Sequence, residues 1–353
     1  MRGRAVYEPA SLSKGHKLLR EERDNVLQFI IKRILYMIPT LLLISIITFA
    51  IIQLPPGDWL TTYVMTLEAE GVPVSPEQIE ILRTRYGMNQ PFHVKYFNWM
   101  KGIVLEGDLG YSFEWNKSVN ELIWSRIALT FVVALCSMLF TWIVAFIIGV
   151  YSSLRPYSIG DYIATFVGFI GLATPSFMLA LILMWVSLEV FGVNYTGLFS
   201  PEFVGVPWSF AKVADMAKHL PIPIIVVGTS GTAGLIRILR ANLRDELGKP
   251  YVTTARARGL AYTKIVLKYP LRIALIPFVS TAGWQLANLV SGEMIVSTVL
   301  SLPTTGPLLL SALKSQDMFL AGSFIMIISA LTVVGTVVSD IALAALDPRI
   351  RYE

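Results

Sequence analysis

The chain has 353 residues, of which 54% are hydrophobic and only 15% charged, with a mean hydropathy of +0.62 and a formal net charge of +5. A soluble domain normally carries about a quarter charged residues, so this composition excludes an ordinary soluble protein. The apolar residues form runs of about twenty or more, the length that crosses a hydrocarbon core. The sequence therefore predicts an all-α polytopic membrane protein.

Six apolar segments are predicted to span the membrane as helices: 29–52, 126–151, 162–191, 220–240, 272–300 and 319–345. The first is too long for a cleaved signal peptide and no small-residue cleavage site follows it, so we interpret it as a retained anchor. The third is over-long and contains Pro175, which predicts a kinked or tilted helix. The fourth is rich in Gly and Pro and is the weakest of the six.

The Lys and Arg residues are distributed unequally between the two sides of these spans. Twenty lie on one side, in the segment before and at the start of span one, in the loop between spans four and five, at Arg155 and at the C-terminus. Eight lie on the other side. The positive-inside rule therefore places both termini in the cytoplasm. The net charge is an orientation signal, and no nucleic-acid partner is expected.

Two segments outside the spans have a character of their own. Residues 1–28 are polar and are expected to form a cytoplasmic N-terminal extension. The external loop 53–125 is expected to be partly helical, because Ser75, Pro76 and Gln78 give a capping box with a first-turn proline. A second short helix is predicted to begin at Pro91.

Several kinds of chemistry are absent from the sequence. The "NKS" at 116–118 resembles the end of a phosphate-binding loop, but Tyr111 and Asn116 stand where its glycines belong. No metal-ligand motif occurs among the three histidines and one cysteine, Cys136. We therefore expect this chain to bind no cofactor and to draw its energy from elsewhere.

The basic stretch "YVTTARARGL" at 251–260 interrupts the apolar pattern. Pro250 suits the first position of a helix, and Gly259 permits the left-handed turn that would end it. At 100° per residue, Tyr251, Ala255 and Arg258 share one side, and no broad apolar face results. A positive-inside loop facing lipid is one interpretation; docking against a partner protein is the interpretation that we favour.

Span five carries a polar stripe on an otherwise apolar helix. Thr281, Gln285 and Asn288 recur at i, i+4 and i+7, and Ser291 continues beside them. Uncompensated amides are costly in lipid, so the stripe is expected to face protein or water. It either lines a translocation pathway or makes hydrogen bonds that hold the helix bundle together.

Four stretches together resemble ABC importer permeases of the dipeptide/oligopeptide type. They are "FIIKRILYMIPTLLLISIITFAIIQLPPGD" at 29–58, "GMNQPFHVKYFNWMKGIVLEGDLGYSF" at 87–113, "YVTTARARGLAYTKIVLKYPLRIALIP" at 251–277 and "LDPRIRY" at 346–352. They follow one another in order over 29–352.

The resemblance implies a transmembrane permease domain over 29–352, with six helices in the type I importer fold, in a prokaryotic plasma (inner) membrane. It also implies a sister permease, two cytoplasmic ATPase subunits that bind ATP and Mg, and an external solute-binding protein. ATP hydrolysis would then belong to the ATPase subunits, and this chain would be no enzyme. Within the cytoplasmic segment 241–271, the ATPase-coupling residues would be Thr253, Thr254, Ala255, Arg256, Ala257, Arg258, Gly259 and Leu260.

The chain departs from the family pattern at two places. The wider pattern begins the coupling segment with Glu-Ala-Ala, where this chain has Thr253, Thr254 and Ala255. After span five the peptide-type pattern expects a Glu, where this chain has Ser297, while Glu293 lies four residues earlier. Both residues are assigned to the pathway near its outer mouth.

The substrate is expected to be a di- or oligopeptide, with an oligosaccharide or a nickel chelate as alternatives. A function from another class, an ion-coupled secondary transporter, would need intramembrane ionisable residues. Only Glu189, Glu293 and Asp340 are candidates, and each lies near a span end. A structural or receptor-like membrane protein would not need the polar stripe.

Overall fold

Helices dominate the computed structural model, which describes residues 10–54, 59–71, 74–85, 89–281 and 294–346. An antiparallel hairpin pairs β1 (Tyr111–Ser112) with β2 (Lys117–Ser118). The α-helices are α1 (Ala10–Gln53), α2 (Trp59–Ala69), α3 (Pro76–Arg85), α4 (Phe92–Lys101), α5 (Val119–Leu154), α6 (Ile159–Ala173), α7 (Ser176–Phe191), α8 (Phe210–His219), α9 (Pro221–Leu247), α10 (Pro250–Ala257), α11 (Tyr262–Lys268), α12 (Pro270–Ser280), α13 (Met294–Val299), α14 (Thr305–Lys314) and α15 (Met318–Leu346).

Four helices in the described ranges are long and apolar enough to cross a membrane: α1 from residue 31, α5, α9, and α15 up to residue 337. The pair α6 and α7 forms a fifth candidate. The remaining predicted span, 272–300, includes residues 282–293, which lie outside the described residues. The weakest prediction, span four, corresponds to the continuous 27-residue helix α9.

The third span is not the single kinked helix that its sequence suggested. α6 and α7 meet at 105°, so the pair is either a broken span or a re-entrant loop. The break falls at Thr174, whose φ of −82° and ψ of 122° are extended. Pro175 explains this, because a proline disfavours the helical conformation of the residue before it.

α5 and α9 pack closely at the centre of the bundle. The Thr141 hydroxyl donates to the Gly228 carbonyl oxygen at 2.8 Å. A Cβ at Gly228 would lie 2.6 Å from the Phe140 ring, so only glycine permits this approach. Small residues at a helix contact are typical of membrane bundles, where backbones must come close to gain packing energy.

The helices α1, α6 and α7 leave large apolar side chains uncovered. Leu35 of α1 is 59% exposed and Phe166 of α6 is 66% exposed. Apolar surface on this scale is unusual for a soluble monomer and fits contact with lipid. α1 also runs without interruption past residue 28, so residues 10–28 of the predicted extension differ from span one in composition and not in backbone conformation. Residues 1–9 lie outside the described residues.

The predicted external segment is anchored to α15. The capping box of α3 is confirmed, since the Gln78 N–H donates to the Ser75 hydroxyl at 3.3 Å and the Ser75 N–H donates to the Gln78 side chain at 3.1 Å. The Trp99 indole N–H of α4 donates to the Ser323 hydroxyl at 3.1 Å, and that hydroxyl donates to the Leu109 carbonyl at 2.8 Å. These two hydrogen bonds attach α4 and the loop at Leu109 to α15.

Candidate functional site

The predicted helix in the basic stretch is confirmed as α10. Lys249 is extended, with φ −76° and ψ 151°. Pro250 occupies the first helical position, where a backbone N–H has no partner within the helix, so the absence of that N–H in proline costs no hydrogen bond. Gly259 has φ +76°, and its N–H donates to the Arg256 carbonyl at 2.9 Å, so the helix ends in the left-handed turn that the glycine predicted.

A buried carboxylate fixes the corner between α9 and α10. Glu246, in the last turn of α9, is 7% exposed and accepts hydrogen bonds from Lys249 Nζ at 2.6 Å and Tyr251 Oη at 2.6 Å. The hydrogen bond to Glu246 raises the pKa of Lys249, and burial together with Glu246 raises the pKa of Tyr251. Two hydrogen bonds to one buried carboxylate thus connect the start of α10 to the end of α9. The sequence reasoning missed Glu246.

One face of α10 is buried against its own chain. Val252 and Ala255 are buried beside Ile265 of α11. An isolated helix of eight residues is marginal in water, so this packing explains why α10 is formed before any partner binds. Of the eight predicted coupling residues, Ala255 is therefore an internal packing residue.

The other predicted coupling residues are exposed: Thr253, Thr254, Arg256, Ala257, Arg258, Gly259 and Leu260. Thr253, Arg256 and Ala257 lie on the face of α10 opposite the side that Tyr251 and Arg258 share. The Arg256 guanidinium lies 4.8 Å from the centre of the Tyr262 ring. This stacking holds the guanidinium in place while leaving it exposed for a carboxylate.

The predicted pathway residues are only partly described. Thr281 is buried and its hydroxyl donates to the Phe278 carbonyl at 2.8 Å. Ser297 is buried, and its hydroxyl has no hydrogen-bond partner within the described ranges. The other four, Gln285, Asn288, Ser291 and Glu293, lie outside the described residues, so the pathway assignment stays a prediction.

A buried ion pair joins α6 to α9 and was missed by the sequence reasoning. The Arg240 guanidinium donates to Asp161 Oδ2 at 2.7 Å, and the Tyr157 N–H donates to the same oxygen at 2.8 Å. The Asp161 side chain is 3% exposed. The sequence could have indicated this pair through an Asp at the start of span three and an Arg at the end of span four. Glu189, one of the three ionisable residues considered, is exposed.

Two buried carboxylates stabilise the loops at the opposite end of the bundle. Asp317 accepts from the Ser112 hydroxyl at 2.6 Å, and burial raises its pKa. Burial also acts to raise the pKa of Asp215, but hydrogen bonds from the Ser200 N–H and hydroxyl, both at 2.8 Å, outweigh it and the pKa is lowered. Both carboxylates serve structural roles in loop packing.

No group of three or more His, Cys, Asp or Glu residues able to hold a metal occurs in the part of the chain that the structure describes. The features that stand out among these residues are the hydrogen-bonded corner at Glu246, the exposed short helix α10 and the helix bundle.

Comparisons with known proteins agree with this arrangement. The binding-protein-dependent transport system inner membrane component family matches residues 145–352, and the corresponding N-terminal membrane component family matches residues 26–134. The oligopeptide transport system permease protein AppB of Bacillus subtilis (strain 168) is 34% identical over 325 residues, covering 92% of this chain and 99% of its own length.

Two further relatives match over a similar share of the chain. The dipeptide transport system permease protein DppB of Alkalihalophilus pseudofirmus is 30% identical over 341 residues, 93% of this chain and 100% of its own. The glutathione transport system permease protein GsiC of Salmonella typhimurium is 28% identical over 328 residues, 93% of this chain and 100% of its own. All three are permease proteins of transport systems. The chain belongs to the family of binding-protein-dependent transport system inner membrane components, and it is a multi-pass permease subunit of an ABC importer that works with an ATPase and a binding protein.

Proposed function

We propose that this chain pairs with a sister permease to import di- or oligopeptides, driven by two cytoplasmic ATPase subunits and supplied by an external solute-binding protein. The substrate class follows from the relatives, whose names give oligopeptides, dipeptides and glutathione. These names favour peptides over the oligosaccharide and nickel-chelate alternatives. ATP and Mg would be bound by the ATPase subunits, while this chain supplies half of the pathway.

The observation that carries the mechanism is the hydrogen-bonded connection from α10 to α9 at Glu246. The exposed face of α10, with Thr253, Arg256 and Ala257, would sit in a groove of one ATPase subunit. When the ATPases close on ATP, they would displace α10, and the Glu246 corner would pass that motion to α9. Because α9 is joined to α5 by close packing and to α6 by the Asp161–Arg240 pair, the bundle would move as a body and open the pathway outward.

The proposal includes an orientation. With α10 and both termini in the cytoplasm, the segment 53–125 lies outside, where the binding protein would deliver its ligand. Its packed helices α2 to α4 and the hairpin offer a surface that is already folded, so docking there would not have to order a loop first. The domain limits expected from the sequence, 1–28 and 29–352, fit this orientation.

Site-specific photocross-linking tests the arrangement. A photoreactive amino acid at Arg256 should capture an ATPase subunit in the assembled complex, and one at Lys95 or Glu80 should capture the binding protein. The matched control at Leu35, on the exposed apolar face of α1, should capture neither soluble partner. Capture of the binding protein from position 256, or of the ATPase from position 95, would reverse the orientation and refute the coupling role of α10.

A further inference from the structure

A cavity of about 600 Å³ lies beside α10, between that helix and the segment that leads into α12. Arg258 lines it from the end of α10, and Lys268 and Arg272 line it from the other wall. None of the lining residues that the structure describes is acidic. Three cations that line one cavity, with no carboxylate among its described wall residues, create a positive site.

These three cations are not neutralised elsewhere in the described part of the chain. The acidic residues closest along the chain, Asp245 and Glu246, are engaged by Lys249, whose Nζ lies 3.4 Å and 2.6 Å from their oxygens. Arg258, Lys268 and Arg272 take part in no ion pair among the described residues, and all three are exposed. Within the described ranges, the cavity therefore has a positive charge that no carboxylate balances.

Apart from Thr254, the rest of the described wall is apolar or aromatic. Leu260, Tyr269 and Ile273 line the cavity together with Tyr251. A free phosphate ion would gain nothing from such a wall, whereas an amphiphile would bury its apolar part there and keep its anionic head on the cations. The volume also lies within the range of about 300–1,000 Å³ that is usual for small-molecule sites.

The proposed orientation would also place the cavity close to the cytoplasmic surface of the membrane. Ile273 and Arg272 belong to the first turn of α12, where the predicted fifth span begins, on the side that the proposed orientation assigns to the cytoplasm. Basic pockets between membrane helices on that side are suited to anionic lipid head groups. We propose that this cavity binds the phosphate head group of an anionic phospholipid, with the start of an acyl chain against Leu260 and Ile273.

The proposed lipid site and the proposed ATPase-docking face lie on different sides of α10. Arg258 and Tyr251 point to the cavity, while Thr253, Arg256 and Ala257 lie on the opposite face. A bound lipid would thus contact the face of α10 opposite the ATPase-docking face and leave the docking face free. The lipid site rests on the orientation of the proposed function, but its test measures lipid contact directly and does not depend on transport.

Photolabelling of the complete complex in vesicles tests the site. Phosphatidylglycerol with a photoreactive group near its head, diluted into phosphatidylcholine, should label the peptide spanning 258–273, and photoreactive phosphatidylcholine should label it much less. The Lys268→Gln/Arg272→Gln variant should lose labelling on the order of 30-fold, because each cation near the surface contributes about a fivefold factor. The Lys268→Arg/Arg272→Lys variant should keep it, which separates loss of charge from misfolding.

The control is Lys264→Gln, which removes an exposed cation of α11 that does not line the cavity. Its labelling should match that of the wild type, and raising the salt concentration should weaken labelling of both. Equal labelling by the two lipids would overturn the proposal. Suppression of labelling by millimolar inorganic phosphate would also overturn it, because the site would then bind phosphate from solution. Labelling of the chain alone but not of the complex would overturn it as well, because a protein partner would then cover the cavity. If peptide uptake fails while selective labelling persists, the proposed function falls and the lipid site stands.

Discussion

The Gly259 backbone has φ +76°, and a Cβ built there would meet no atom within 4 Å. A substitution at this position therefore tests backbone conformation without adding a clash. Left-handed conformation costs a residue with a Cβ about 1–2 kcal/mol, and a β-branched side chain more still. Gly259→Val should end α10 in a different place and abolish substrate uptake, while the chain still inserts in the membrane.

The matched control is Gly259→Asn, because Asn adopts the left-handed region far more readily than Val. It should keep most of the uptake. Uptake and coupled ATP hydrolysis are both measured in vesicles that hold the complete complex. Full activity of Gly259→Val would show that the turn does not set the position of α10.

Asp317 gives a pH-dependent prediction. Burial raises the pKa of its carboxyl above the ordinary value, against the hydrogen bonds from Ser112, Leu320 and Glu114. The folded protein then binds more protons than the unfolded protein between the two pKa values, so stability falls as the pH rises through that window. As the solution is acidified from neutral pH toward the ordinary pKa of an aspartate, the melting temperature of the wild type should rise relative to that of Asp317→Asn.

The exposed Asp108→Asn variant is the control for a loss of one negative charge on the same side of the membrane. A melting temperature of the wild type that falls relative to that of Asp317→Asn on acidification would mean that the hydrogen bonds, and not burial, dominate at Asp317.

At the scale of elements, the Asp161–Arg240 pair is predicted to join α6 to α9 energetically. The pair is short and the Asp161 side chain is almost fully buried, so a double-mutant cycle with Asp161→Asn and Arg240→Gln should give a coupling energy of about 1–3 kcal/mol. The Lys117–Glu121 pair, whose side chains are both more than half exposed, should give about 0–0.5 kcal/mol in the same assay. Equal coupling energies for the two pairs would contradict the proposed energetic connection between α6 and α9.

Span five is predicted to line the pathway through its polar stripe. Cysteine at Gln285 or Asn288, in a Cys136→Ala background, should react with a small water-soluble thiol reagent. Its rate should change when ATP and vanadate trap the ATPase subunits, because the cavity then opens to the other side. Negligible reaction in every state, while cysteines in loops react, would assign the stripe to helix packing.

The sequence predicted some of these elements well and others poorly, for physical reasons. The limits of α10 follow from Pro250 and Gly259, since both act through their own backbone. Pro175 marked the break in the third span, but the angle of 105° depends on how α7 packs against other helices, which the local sequence does not contain. The contact of Val252 with Ile265 was missed for the same reason, because it joins residues of two short helices across a turn.

For the whole molecule, hydropathy and charge predicted a polytopic membrane protein, because both reflect the bilayer and not the tertiary fold. The family was predicted from four ordered stretches and is confirmed by matches along most of the chain. The cavity behind α10 could not have been predicted, since its cations come from α12, from α11 and from the residue that ends α10. Cavities of this kind are set by packing and have no local pattern.

The most direct test of the account is peptide uptake by proteoliposomes that hold the complete complex, with the binding protein on the outside. We predict that uptake of a labelled di- or tripeptide requires ATP on the ATPase side, survives collapse of proton and sodium gradients, and that the purified chain alone releases no phosphate from ATP. Uptake driven by an ion gradient without ATP, or phosphate release by the chain alone, would contradict the account.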